Sequence, residues 1–129
     1  MAYLIDTHVA LWILLGDSRL KEADFFSRFG SDETFIFYQI STWEIQIKFD
    51  LGKLKLPQRP ENFLKKAIEQ TGFAYEQVED DGIFFLSKLP QIHRDPFDRL
   101  LIAHAVSNGW TAITADETFE RYPVRVERV

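Results

Sequence analysis

The chain contains no cysteine, and that absence removes disulfide staples, thiolate nucleophiles and cysteine-ligated structural zinc in one step. No apolar run approaches the length needed to cross a bilayer, and the opening Met1-Ala2-Tyr3-Leu4-Ile5-Asp6 reaches an acid too early for a signal peptide. A cytoplasmic protein with no membrane association is expected. Positive charge is also scarce: the net charge of -5 argues against indiscriminate nucleic-acid binding, whose affinity comes mainly from neutralised phosphates and released counterions. Neither a glycine-rich dinucleotide fingerprint nor a P-loop occurs. No repeat and no Gly/Ser-rich linker divides the 129 residues, so one domain over residues 1–129 is expected, long enough at 46% hydrophobic to bury its own core.

What is present is an alternation of short apolar runs and helical stretches. Ala2 to Asp6 reads as a strand, and His8 to Leu15 as a helix with Leu11, Leu14 and Leu15 on one side. Lys21 to Phe29 predicts a second helix closed by Gly30, and Thr34 to Tyr38 a buried strand. Ser41 opens a helix to about Leu51, with Glu44 three residues on in a capping-box arrangement and Gly52 as the stop. Pro60 starts a helix that Gly72 ends, Phe73 to Val78 reads as a strand, and Asp80 to Lys88 as a short helix. Asp95-Pro96 opens an apolar helix to Asn108. Trp110 to Thr114 and Val124 to Val126 close the pattern as strands, with a helical turn at Glu117 to Arg121 between them. Such alternation predicts an α/β/α sandwich with a mostly parallel central sheet.

In a parallel sheet every strand-to-helix loop leaves from the carboxyl edge, where open α/β folds place their ligands. Asp6 ends the first strand, Glu44 and Asp98 lie near the starts of helices, and Asp116 follows the fourth strand, so the topology delivers all four acids to one edge. Carboxylates gathered this way repel one another, and a divalent cation held by oxygen ligands is the simplest remedy. Each acid also has an ordinary explanation. Glu44 fits the capping-box partner of Ser41, Asp98 a first-turn acid favoured by the helix dipole, and Asp95, just before Pro96, the N-cap of its helix.

The stretches Leu4-Ile5-Asp6-Thr7-His8-Val9-Ala10-Leu11-Trp12, Trp43-Glu44-Ile45-Gln46-Ile47-Lys48 through Gly52-Lys53-Leu54-Lys55-Leu56-Pro57, His93-Arg94-Asp95-Pro96-Phe97-Asp98-Arg99-Leu100-Leu101-Ile102-Ala103 and Thr114-Ala115-Asp116 resemble the PIN-domain ribonucleases, and among them the VapC-type toxins of bacterial toxin-antitoxin pairs. The resemblance runs from the first strand to the last. It implies a metal-dependent endoribonuclease using Mg2+, with Mn2+ able to substitute, held by Asp6, Glu44 and Asp98 with Asp116 as the more variable fourth acid. It further implies an RNA substrate, a cognate antitoxin and a homodimer. One departure is His104, where relatives often carry glutamine. It reads as a hydrogen-bonded packing residue.

Two other classes compete. A non-catalytic module could use the acidic pocket to receive a basic partner peptide. A phosphoreceiver or aspartyl phosphatase would need a lysine after a late strand or a second aspartate two residues beyond Asp6, and neither is present. For an enzyme, Thr7, Ser41 and Thr114 are candidates to orient the acids, His8 for a capping role, and Arg94 or Arg99 for either RNA phosphate or the neighbouring acids. Trp43 adjoins the acidic mouth, while the twelve phenylalanines suit a core and an interface.

Charge is unevenly spread: the segment from Lys48 to Lys66 carries +4 and the remainder -9. If Lys48, Lys53, Lys55 and Arg59 steer RNA, replacing several by glutamine weakens RNA binding and flattens its salt dependence while the fold stays intact. An unchanged salt dependence identifies them as ordinary solvated surface.

Overall fold

The computed structural model describes all residues, Met1–Val129. The strands are β1 (Ala2–Ile5), β2 (Thr34–Tyr38), β3 (Ala74–Glu76), β4 (Thr111–Thr114) and β5 (Val126–Arg128). The helices are α1 (Thr7–Leu15), α2 (Glu22–Phe29), α3 (Gln39–Asp50), α4 (Pro60–Thr71), α5 (Asp80–Phe84) and α6 (Pro96–Asn108), with 3-10 turns at Phe85–Lys88 and Glu117–Arg121. All strand pairs are parallel, in the order β3-β2-β1-β4-β5.

Strand alternation sorts the core into two layers. Ile5, Phe35, Phe37 and Ile113 face α1 to α4, where they pack with Val9, Phe25, Ile45, Leu64 and Ile68. Leu4, Ile36 and Tyr38 face the opposite side and meet Leu101 and Ala105 of α6. Ala112 on that side joins Ile102, Phe119 and Tyr122. Helices therefore cover both faces, as a parallel sheet requires. Phe25 anchors the first layer among Phe26, Phe29, Phe35 and Phe73, with ring centroids 4.9 to 6.4 Å away.

Two boundaries depart from the sequence expectation. Chain and helix meet directly at Tyr38–Gln39, so α3 begins two residues before Ser41. Ser41 is then inside the helix, where its hydroxyl bonds the Thr7 hydroxyl at 2.8 Å rather than capping anything. The last strand is Val126–Arg128 rather than Val124–Val126, because β4 selects its partners by register: Ala112 opposite Val126 and Thr114 opposite Arg128. The stop signals hold at Gly72 and Gly109, which end α4 and α6 in the left-handed conformation.

His104 is fully buried on α6, as a packing residue should be. Its Nδ1 donates to the Leu100 carbonyl at 2.9 Å, and its Nε2 accepts the Glu79 N–H at 3.2 Å. The ring lies against Gly82 of α5, where an added Cβ would stand 2.2 Å from His104 Nε2. Gly82→Ala is therefore expected to destabilise the fold by about 1–3 kcal/mol, the usual cost of overpacking. His104→Ala in the same chain should recover part of that loss, as urea denaturation would show.

Candidate active site

β1 sends its loop toward β2 while its neighbour β4 sends its loop toward β5, so a crevice opens between their carboxyl ends. Asp6 and Asp116 stand on its two sides. Asp6 is 5% exposed and caps α1, its Oδ1 accepting the Val9 N–H at 2.9 Å. Its Oδ2 accepts the hydroxyl of Thr114, which is wholly buried at the end of β4. The same Thr114 oxygen accepts the Asp116 N–H at 3.0 Å. Asp116 in turn caps the 3-10 turn, its Oδ1 accepting the Thr118 N–H at 2.9 Å. One hydroxyl thus ties the two strand-end acids together.

The remaining acids come from helices on opposite faces of the sheet. Glu44 is in the second turn of α3 and only 1% exposed, so a capping-box role is excluded. Lys48, one turn further on, donates to its Oε2 at 2.6 Å. Glu44 Oε1 is buried with no hydrogen-bond partner. Asp98 lies in the first turn of α6, 15% exposed. Asp95 before it is the N-cap, its Oδ1 accepting the N–H groups of Phe97 and Asp98 at 2.8 and 3.4 Å.

Protonation reflects this crowding. Burial, and then the negative charges of Asp95, Glu44, Asp6 and Asp116, push the Asp98 carboxyl up to about 8. Burial also raises Asp6, against the opposing hydrogen bonds from Thr114 and Val9. Burial pushes on Asp116 as well, but the Thr118 hydrogen bonds and His93 outweigh it and hold that carboxyl below the ordinary range.

His93 is the member of the site that sequence reading left without a role. Its Nε2 stands 3.1 Å from Asp98 Oδ2 and 3.2 Å from Asp116 Oδ2. Its Nδ1 accepts the Asp95 N–H at 3.1 Å, which places the ring hydrogen on Nε2. Ring nitrogens that already carry hydrogen do not ligate metal, so His93 holds the two acids as a donor, although the three side chains are close enough to share an ion. The nearby spacing His93 to Asp98 was the available signal.

Other candidates separate clearly. His8 is exposed on the first turn of α1. Trp43 is 58% exposed and stands edge-on to Phe97, at the surface beside Glu44. In the positive segment, Lys48 is paired with Glu44 and Arg59 with Glu61 at 3.2 Å, so Lys53, Lys55, Lys65 and Lys66 are the cations without an ion pair.

The donor set fits a hard divalent cation. It is made of carboxylate oxygens, one of them an orphaned buried acceptor at Glu44, around a carboxyl that burial and its acidic neighbours push up to about 8. A cation supplies what the protein groups leave missing.

A PIN domain profile matches residues 3–125 of the chain. No curated protein gives a significant match. Among solved structures, the fold is similar to VapBC2 from Rickettsia felis bound to a DNA fragment from its promoter, with TM-score 0.77, 16% identity and 99% and 98% of the two chains covered. It is also similar to DNA-bound VapBC from Salmonella typhimurium, with TM-score 0.69, 16% identity and the same coverage. FitAcB from Neisseria gonorrhoeae gives TM-score 0.62 and 20% identity over 96% and 95% of the chains. No helix is long and apolar enough to cross a membrane.

The raised Asp98 carboxyl sets a pH dependence. The unfolded chain releases this proton near pH 4 and the folded metal-free protein near pH 8, so the stability it contributes is full below the lower value. That stability is lost as pH rises through the upper one, by at most about 1.4 kcal/mol per pH unit. Thermal melts in chelator should fall across this window in the wild type and flatten in Asp98→Asn. Divalent-metal affinity should rise across the same window.

Proposed function

The chain belongs to the PIN-domain family, and from that premise we propose that it is a Mg2+- or Mn2+-dependent endoribonuclease, the toxin of a type II toxin-antitoxin pair, acting in the cytoplasm as one domain over residues 1–129. PIN domains in general are nucleases that use divalent metal ions. What supports the reading here is that the charges of Glu44, Asp6 and Asp116 all act on Asp98, with Glu44 Oε1 buried and unpartnered.

In this reading Asp6, Glu44 and Asp98 are the metal ligands, with Asp116 assisting at the crevice rim. A divalent ion held by these residues would supply Lewis-acid activation and charge stabilisation for hydrolysis of the phosphodiester. The chain's own groups do the rest. Thr114 fixes the rotamer of Asp6 and the loop of Asp116, while His93 Nε2–H keeps the Asp98 and Asp116 carboxylates oriented. Lys48 neutralises one oxygen of Glu44 and leaves the other free for the ion. Lys53, Lys55, Lys65 and Lys66 supply positive surface for the strand.

Self-association and a cognate antitoxin belong to the same proposal. Trp43, Ile83 and Phe84 on helices and Leu51 just beyond the end of α3 are large apolar side chains left exposed. Such surface suits burial between protein chains. The Lys48–Glu44 ion pair also favours a second reading, an acidic pocket that receives a basic side chain from a partner. The two readings differ in what the free protein does.

Partner-free protein incubated with mixed structured RNAs should cleave in Mg2+ or Mn2+ and stop in chelator. Asp6→Asn and Asp98→Asn should lose at least about a hundredfold in rate, as expected when electrostatic stabilisation of the transition state is removed. Mn2+ should raise the wild-type melting temperature and raise it less in either variant. Full activity in chelator with no bound metal would refute metal dependence, and inactivity under every metal would favour the binding module.

A further inference from the structure

His93 also lines a pocket of about 520 Å³, together with Gln91, Ile92, Arg94, Pro96 and Arg99. No carboxylate lines it. Neither guanidinium pairs with an acid, although His93 of the same lining contacts Asp98 and Asp116. Arg99 Nε is buried without a hydrogen-bond partner, and Arg99 Nη2 donates only a long bond, 3.3 Å, to the Leu86 carbonyl. Arg94 is exposed and forms no side-chain hydrogen bond. The pocket thus holds positive charge that no carboxylate of the protein neutralises.

We propose that this pocket is a phosphate subsite, which takes a non-scissile phosphate of the RNA strand next to the one held at the acids. The assignment rests on the ribonuclease reading for the identity of the strand. A guanidinium presents a planar fork of N–H donors that matches phosphate oxygens; Arg99 Nε is buried, so an anion would meet the outer nitrogens of the half-buried Arg99 and the exposed Arg94. Gln91 adds an amide that can donate to the same anion. His93 is shared by both pockets: its Nε2 faces Asp98 and Asp116 while the ring forms a wall of the arginine pocket. A strand that crosses this wall meets metal-binding acids on one side and arginines on the other, so the subsite fixes register at the cut. It also answers what sequence left open about Arg94 and Arg99, since neither serves to neutralise the acids.

The test uses full-length protein carrying Asp98→Asn, so that RNA is bound without being cut, and a labelled single-stranded RNA titrated at several salt concentrations. Arg94→Gln and Arg99→Gln should each weaken binding roughly tenfold, the scale of a lost charge-assisted hydrogen bond, and make the salt slope shallower by about 0.7 per phosphate contact removed. Arg99→Lys should keep the slope while losing part of the affinity, because the charge remains and the fork does not. Arg94 is exposed, so its variant serves even if Arg99→Gln fails to fold. Inorganic phosphate should compete with the RNA in the arginine-intact protein and compete less in the variants. Unchanged affinity and slope in Arg94→Gln and Arg99→Lys, with wild-type protein still cutting RNA, would overturn the subsite alone. Arginine-dependent RNA binding by a wild-type protein that cuts nothing supports the subsite and removes the nuclease reading. Tighter arginine-dependent binding of a polyglutamate peptide than of RNA identifies a protein-docking pocket and overturns the proposal.

Discussion

Like charges repel most strongly where water is excluded, and the structure around the β1/β4 crevice is organised by that constraint. Two carboxylates about 5 Å apart at an effective dielectric of about 20 repel by roughly 3 kcal/mol before screening. The chain meets this with short-range, specific donors: the Thr114 hydroxyl and the Val9 N–H on Asp6, Lys48 on Glu44, and His93 Nε2–H between Asp98 and Asp116. Each donor serves a particular oxygen. What they leave is an Asp98 carboxyl pushed up to about 8 and the orphaned Glu44 Oε1, an imbalance that a divalent cation would correct.

The scaffold can carry this burden because its other parts are conventional. Aromatic packing around Phe25 and the two-sided cover of the sheet come from apolar burial alone, with little polar content. That core holds Ile5 and Ile113 at the strand ends by burial. Substitution at the crevice should consequently change electrostatics more than architecture.

Much of this was legible in the chain. Asp6 and Asp116 could be placed because each ends an apolar run, and parallel topology sends both ends to one edge. Asp95 was legible as an N-cap from the proline that follows it. Glu44 was ambiguous because Ser41 three residues before it mimics a capping box, and only the tertiary bond between Ser41 and Thr7 shows that the helix had already begun. His93 stayed silent for a related reason. Which ring nitrogen carries hydrogen depends on the Asp95 N–H, and its carboxylate partners come from α6 and from the loop after β4. Edge strand β5 shifted by two residues because register is decided by the neighbour β4, not by local propensity. The roles of Arg94 and Arg99 likewise depended on which acids they fail to reach.

The Thr114–Asp6 bond joins positions 108 residues apart in the chain, and β1, the first strand made, takes the centre of the sheet beside β4. During synthesis the growing chain therefore holds Asp6 without the strand that completes its surroundings, while β2 can already pair on the other side. Long-range closure of this kind is slow and late in folding. The crevice therefore comes into existence only when the β4 segment has docked beside β1.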